Sequence, residues 1–286
     1  MPVFSKGVLY VVATPIGNLE DITLRALKVL KAVQLVAAED TRRSGNLLRH
    51  FQIETKILSV HAHNESGRVE RILATLERGE SVALVTDAGT PAISDPGAIL
   101  VARVRSAGFR VEPIPGANAV VAAVSASGVD TSGFTFLGFP PIRSKDREIW
   151  FGHLVTAASE RLVVFYEAPH KLQKTLAALV DLVKRPIIVA RELTKIHEEI
   201  VLGTPSELLE RFKAPQGEFT VLIPPPSGAE RATVSAENIV DSDVMLIFGQ
   251  ITDSRKFSSK KEAAKAVGER IGLTAKQVYA ILERNK

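Results

Sequence analysis

The chain has 286 residues, 45% of them hydrophobic and 24% charged, with 36 Lys and Arg against 32 Asp and Glu for a formal net charge of +4. This composition supports one or two buried cores and excludes wholesale disorder, while the mild basic excess permits an RNA or other polyanionic partner without requiring one. Cysteine is absent, which excludes disulfide scaffolds, thiolate zinc sites, iron–sulfur clusters and cysteine nucleophiles.

The N-terminal residues lack a signal peptide's long apolar region and cleavage site, and no run reaches the roughly 18 apolar residues of a membrane span, so a soluble cytoplasmic protein is expected. The first element is a strand over 8–13 that stops at Thr14-Pro15, because proline cannot continue a central strand. It passes through Ile16-Gly17-Asn18 to an amphipathic helix, with Asp21 as the expected cap and Ile22, Leu24, Leu27, Leu30 and Val33 as its apolar face. Neither a Gly-x-Gly-x-x-Gly fingerprint nor a P-loop is present. A short strand over 34–38 then ends in Glu39-Asp40-Thr41-Arg42-Arg43. Such a cluster reads either as a salt-bridged turn or as a ligand-facing segment, with Glu39 or Asp40 in the crevice and the arginines toward an anion. His61 and His63 alternate on an extended segment, but no third ligand accompanies them, so no metal site is expected.

After a helix beginning near Glu65, the run "LVTDAGTPAISDPG" repeats the design of the first loop. An apolar strand over 82–85 opens into Asp87, Ala88, Gly89, Thr90 and Pro91, with Asp95, Pro96 and Gly97 leading into a helix over 98–108. An apolar strand opening into a Gly/Pro loop before a helix is where open α/β sheets place ligands. A further strand ends at Pro115-Gly116 and enters the small-residue segment Ala119 to Ala126, suited to close approach by a sheet or a ligand.

Four phrases in order, "VATPIGNLEDITLRAL", "AAEDTRR", "LVTDAGTPAISDPG" and "PIPGANAVVAAVSASG", resemble the tetrapyrrole methylase superfamily. With "FTFLGFPP", "VFYEAPHKL" and "ARELTKIHEE" they are most similar to its RsmI branch, over about residues 7–223. The resemblance implies methylation of the ribose 2′-hydroxyl of a cytidine in 16S ribosomal RNA, naked or in the assembled small subunit. It also implies S-adenosyl-L-methionine as cofactor, a homodimer, and a two-domain α/β fold with the cofactor cleft between domains. The implied domains are 1–125, with the proline-glycine loops, and 126–226, completing the cleft. Matched to the family's cofactor loops are Thr14, Pro15, Ile16, Gly17, Asp87, Ala88, Gly89, Thr90 and Pro91, with Pro115, Gly116 and Ser125 as a third wall. Tyr166 and Glu167 are further cleft candidates. Ala117-Asn118 departs from the family's usual Pro-Ser or Pro-Cys.

A ribose hydroxyl is a weak acid, so a nearby base or polarising contact assists its methylation. Glu39 and Asp40 are the leading candidates, with Glu192 and Lys195 behind them. Arg42, Arg43, Arg143, Lys145, Arg147 and Arg191 suit RNA phosphates, since arginine stays protonated. Residues 224–230 read as a linker. Beyond them, 235–286 form a small helical module whose basic cluster, Arg255, Lys256, Lys260, Lys261 and Lys265, is either a solvated face or a phosphate contact. Two other readings remain open from the residues: methylation of a tetrapyrrole or another small molecule, and a non-enzymatic RNA-binding protein.

Overall fold

The computed structural model describes residues 6–61, 64–130, 132–226, 244, 248, 257, 259–271 and 274–284, apart from the side chains of 269–271. The chain divides into two compact units, Met1–Pro224 and Pro225–Lys286. His63, Arg255 and Lys256 lie outside the described residues.

The first unit holds two five-stranded sheets. Strands β1 (Val8–Val12), β2 (Leu35–Ala38), β3 (Ile57–Ser59), β4 (Val82–Val85) and β5 (Arg110–Ile114) form an all-parallel sheet in the order β3-β2-β4-β1-β5. Strands β2 and β4 are buried at every residue, as expected of parallel strands covered on both faces. Helices α1 (Leu24–Ala32) and α2 (Thr41–His50) cover one face with Ala26, Leu30 and Leu48; α3 (Glu65–Glu77) and α4 (Ala98–Ser106) cover the other with Val69, Ile72, Leu76, Leu100 and Val104.

This order makes β1 and β4 neighbours whose chains leave in opposite directions: β1 leads across to β2, and β4 leads back to β5. Their carboxyl ends therefore flank a topological switch point, where such sheets leave a crevice. The loops after β1 and β4 meet there. Thr14 and Gly89 form an antiparallel bridge, the Thr14 N–H donating to Gly89 O at 2.9 Å and the Gly89 N–H returning to Thr14 O at 3.1 Å.

The second sheet is mixed, in the order β6 (Phe134–Phe136), β7 (Leu162–Glu167), β10 (Phe219–Ile223), β8 (Ile187–Arg191) and β9 (Glu199–Gly203). Only β6 and β7 run parallel; the other pairs are antiparallel. Helices α6 (Ser144–Glu160), α7 (Pro169–Leu182) and α8 (Pro205–Arg211) pack on one face. The other face receives α5 (Ala119–Ala126), whose Val120 and Ala123 meet Leu162, Val164, Ile188, Ala190 and Leu222, joined by Ile16 from the first loop. The small residues of α5 thus serve close packing on the second sheet.

Local expectations change at the first helix. Helix α1 is capped by Thr23, whose hydroxyl accepts from Ala26 N–H at 3.1 Å, because Asp21 is used in a 3₁₀ turn, Leu19–Asp21, begun by Asn18. Its Leu24 points to solvent at 77% exposure. The basic segment after Gly138 becomes, from Ser144, the long helix α6.

In the second unit, α9 (Lys260–Ile271) and α10 (Ala275–Arg284) share a core of Val244, Ala264, Val267, Val278, Ile281 and Leu282. Lys260, Lys261 and Lys265 lie on the exposed side of α9.

Candidate active site

Two adjoining cavities occupy the crevice. The first, about 320 Å³, is mainly apolar: Ile16, Ala88 and Ile93 come from the loops of the parallel sheet, Ala119 from the start of α5, and Phe139, Tyr166, Leu193 and Phe219 from the second sheet and its loops. Gly89, Thr90, Ser94, Asp95, Asn118, Glu167 and Thr220 supply polar edges and exposed backbone. The second, about 440 Å³, brings charged and polar side chains, Arg43, Asn46, His50, Thr86, Asp87 and Lys195, together with Thr14, Pro15 and Gly17, among others. Ile16, Ala88 and Glu218 line both, so they mark the boundary between them.

The loop after β4 owes its shape to backbone that few side chains adopt. Ala92 (φ 66°), Ser94 (φ 64°), Gly89 (φ 83°) and Gly97 (φ 128°) all take positive φ. Ala92 N–H donates to Pro96 O at 3.2 Å, folding the loop back on itself before α4. Backbone in this region is retained where the surroundings over-determine it, commonly at ligand clamps. The same feature recurs in the loop after β8, where Glu192 (φ 50°) and Thr194 (φ 68°) precede Lys195. That loop reaches the first: Asn18 N–H donates to the Thr194 hydroxyl at 3.0 Å. A Cβ on Gly17 would lie 2.5 Å from Lys195 Cγ, so glycine permits this close approach.

Of the residues matched to cofactor loops, Thr14, Pro15, Ile16, Gly17, Asp87, Ala88, Gly89, Thr90, Tyr166 and Glu167 line one cavity or both. Pro91 is buried, and Gly116 lies so close to Ala13 that a Cβ on it would stand 3.0 Å from Ala13 Cβ. Neither Pro115 nor Gly116 lines either of these two cavities. Ser125 is exposed near the end of α5, its hydroxyl bonded to Ala122 O at 2.9 Å, and so it is no cavity contact. Asn118 instead serves the third wall: its Oδ1 caps α5, accepting from the N–H groups of Val120 and Val121, and the residue lines the first cavity.

The candidate bases separate by what holds them. Asp40 is the cap of α2, accepting from Arg42 N–H at 2.8 Å and from the Arg42 guanidinium at 2.7 and 3.2 Å. Those bonds to Arg42 hold its carboxyl well below the ordinary carboxylate range, which makes it a poor proton acceptor. Lys195 lines the second cavity, but its ammonium is paired with Glu192 at 2.8 Å and Glu218 at 3.0 Å. Burial opposes its charge, and the two carboxylates outweigh burial and hold the lysine protonated to higher pH. Glu192 is likewise kept ionised: burial raises its carboxyl, and bonds from Lys195 and the Glu218 N–H more than reverse that effect. Glu39 accepts from the Thr86 hydroxyl at 2.7 Å. The expectation of Asp40 or Lys195 as a base therefore gives way to their roles as cap and cation.

Three groups were not singled out as site residues by the sequence. Asp95 lines the first cavity, and burial, with Glu39 nearby, pushes its carboxyl up to about 6 despite a bond with Thr86. Glu218 precedes β10 and reaches both cavities. His50, at the end of α2, lines the second cavity beside Arg43.

The expected phosphate-binding arginines also divide. Arg43 lines the second cavity, 3.6 Å from the Asp87 carboxylate, and Arg42 is exposed nearby on α2. Arg143 and Lys145 are exposed at the start of α6. Two others cannot serve as expected. Arg191 donates to Gln216 O and Glu199 and lines a separate hollow with Arg211 and Phe212. Arg147 is buried inside the second layer against Glu167 and Thr175. Helical periodicity turns it inward, because it shares a face of α6 with Phe151 and Leu154.

A crevice at the carboxyl ends of parallel strands, completed by a second mixed sheet, defines a two-layered α/β protein with a ligand cleft within one compact unit. The model of the tetrapyrrole (corrin/porphyrin) methylases matches residues 8–209, and the chain belongs to that family. Within it the chain falls in the RsmI branch. It is 43% identical to the ribosomal RNA small subunit methyltransferase I of Synechocystis sp., covering 96% of this chain and 97% of that one. It is 44% identical to the protein of that name from Xylella fastidiosa, covering 96% and 98%. The fold also resembles two solved structures: a cobalt precorrin-4 methyltransferase (19% identity, 78% and 97% coverage, TM-score 0.58) and a diphthine synthase from Entamoeba histolytica described as putative (16%, 77% and 93%, 0.57).

Proposed function

We propose that the chain methylates the ribose 2′-hydroxyl of a cytidine in 16S ribosomal RNA, at the C1402 position, with S-adenosyl-L-methionine as methyl donor. The observation that carries this reading is the end-to-end similarity to ribosomal RNA small subunit methyltransferases I. The two adjoining cavities of unlike character give it a physical form. The apolar first cavity fits a nucleoside-sized group in both volume and lining. Asp95 is, among the described residues, the carboxylate of that cavity without an ion pair, which suits a cationic ligand. The second cavity, with Arg43, His50 and Lys195 in its lining, suits a nucleotide and its phosphates.

When bound, S-adenosylmethionine supplies a methyl electrophile for in-line displacement by the ribose oxygen. The residues present would hold it in the first cavity through Ile16, the backbone of 88–90, Asn118 and Tyr166. The protein's own contribution is to fix two ligands across the boundary formed by Ile16, Ala88 and Glu218. Glu218 is the carboxylate that reaches both cavities, and we assign it the hydroxyl proton, with Lys195 holding it in place. Arg42 and Arg43 take the RNA backbone beside the cleft, joined by Arg143 and Lys145. Lys260 and Lys261 add a sequence-independent phosphate contact from the second unit. The protein acts as a homodimer in the cytoplasm.

Incubation with labelled S-adenosylmethionine and, separately, small ribosomal subunits, naked 16S RNA and a tetrapyrrole tests the reading. Label in RNA supports it; label confined to the tetrapyrrole would transfer the function to a small molecule. Sedimentation at micromolar concentration tests the dimer, which a monomer would refute.

A further inference from the structure

We propose that Arg147 is a positioning residue for the cofactor wall, acting through a buried chain of contacts that ends in Glu167; the proposal rests on the assignment of the first cavity to S-adenosylmethionine. Arg147 and Glu167 are 8% and 1% exposed at their side chains, and Thr175 is fully buried. The guanidinium donates to the Thr175 hydroxyl, whose own proton faces Glu167 Oε2 and, at 3.2 Å, Lys171 O. A direct ion pair at 3.5 Å closes the triangle. The other carboxylate oxygen, Oε1, accepts the Ala168 N–H at 2.9 Å.

Ala168 is the cap position of α7 and has no side chain to serve as one. The Glu167 carboxylate accepts the cap residue's own N–H, beside the positive end of the helix dipole. Arg147 also reaches Pro141 O at 3.4 Å and lies over the Phe151 ring at 5.3 Å. One guanidinium therefore joins α6, α7, the end of β7 and the loop after β6. The wall on the far side is made from the same pieces: Phe139 from the loop, and Tyr166 to Pro169 from the β7–α7 junction. Phe139 and Tyr166 have ring centroids 5.3 Å apart, and Tyr166 N–H is bonded to Gly138 O at 2.9 Å.

A buried ion pair is a weak means of stabilising a core, since matched apolar residues there are commonly as stable or more so. What the pair supplies that an apolar pair does not is direction. It fixes the carboxylate against the start of α7 and holds the loop in register with it.

The test compares wild type, R147K and the double variant R147M/E167M by thermal melting and by calorimetric titration with S-adenosylmethionine. The double variant removes both buried charges and keeps the volume. We expect its melting temperature to fall by only the few degrees that the lost Ala168 N–H bond accounts for, while its Kd weakens by about tenfold, the scale at which misplaced supporting groups degrade a site. KM for the cofactor should rise similarly, with kcat at saturation changing less. R147K keeps the charge without the planar fork and should fall between. A double variant that binds within about twofold of wild type overturns the proposal, because charge and direction would then be dispensable. Should the double variant not fold, R147K decides by the same measure: weaker binding in a folded protein supports the role, and unchanged binding overturns it. A wild-type protein that binds no S-adenosylmethionine would overturn the cavity assignment itself and this role with it.

Discussion

At Asp95 burial and the charge of Glu39 push the carboxyl up to about 6, so it is neutral below that pH and negative above it. A cationic ligand in the first cavity is attracted only by the charged form, and its presence draws the proton off at lower pH. Affinity for S-adenosylmethionine should therefore rise as pH increases through about 6 or somewhat below, then level off. Asp95→Asn should bind weakly with a flat profile; calorimetry from pH 5 to 8 measures both, and an unchanged slope would remove Asp95 from the cofactor's surroundings. Glu218 should behave differently. Glu218→Gln should lower kcat by about 10²-fold or more while leaving cofactor Kd near wild type, the magnitude of losing a positioned proton acceptor. A weakened cofactor Kd with kcat unchanged would place Glu218 in binding alone. Neither residue announced itself in the sequence. Asp95 sits in a turn-rich phrase where aspartates are common for local reasons, and only the fold buries it. Glu218 stands alone before β10, and only sheet order brings it beside residues about two hundred positions earlier. Arg147 was misplaced for a related reason: Arg143, Lys145 and Arg147 read together as a basic run, whereas the helix turns the first two to solvent and the third into the core.

Elements were more legible than contacts. The loops after β1 and β4 were readable as strand exits because Pro15 and the Gly/Pro-rich stretch from Gly89 to Gly97 cannot extend a sheet. The family resemblance put both loops at one cofactor site, but their bridge through Thr14 and Gly89, 75 positions apart, leaves no local pattern to read. The 3₁₀ turn that displaces Asp21 from its expected cap follows from Asn18, whose side chain accepts from Glu20 N–H and starts the turn early. Asn118 shows how an element and the site share one residue. Its Oδ1 satisfies two N–H groups at the start of α5, so Asn118→Ala should destabilise the protein by about 1 kcal/mol. Because the same residue lines the first cavity, cofactor affinity should fall with it, whereas Asn118→Ser should keep the cap. Denaturant melts and titrations on both variants check this; a stable Asn118→Ala protein would mean that the cap is dispensable.

For the whole molecule, the parallel sheet supplies the crevice and the mixed sheet closes it, with α5 as the packed layer that joins them. That division places the ligand loops on one sheet and the wall built on Arg147 and Glu167 on the other. The helical unit of α9 and α10 has its own core, so its exposed lysines can be removed without disturbing the crevice. Changing Lys260 and Lys261 to Ala should weaken RNA binding roughly equally across sequences and reduce the slope of log Kd against log salt by about 1 to 2, with cofactor binding unaffected. An unchanged salt slope would leave these lysines as a solvated face. The most direct test of the central claim is to incubate the protein with labelled S-adenosylmethionine and small ribosomal subunits, digest the 16S RNA to nucleosides and locate the label. The account predicts label in 2′-O-methylcytidine from a single position; label on a base, or transfer only to a tetrapyrrole, would contradict it.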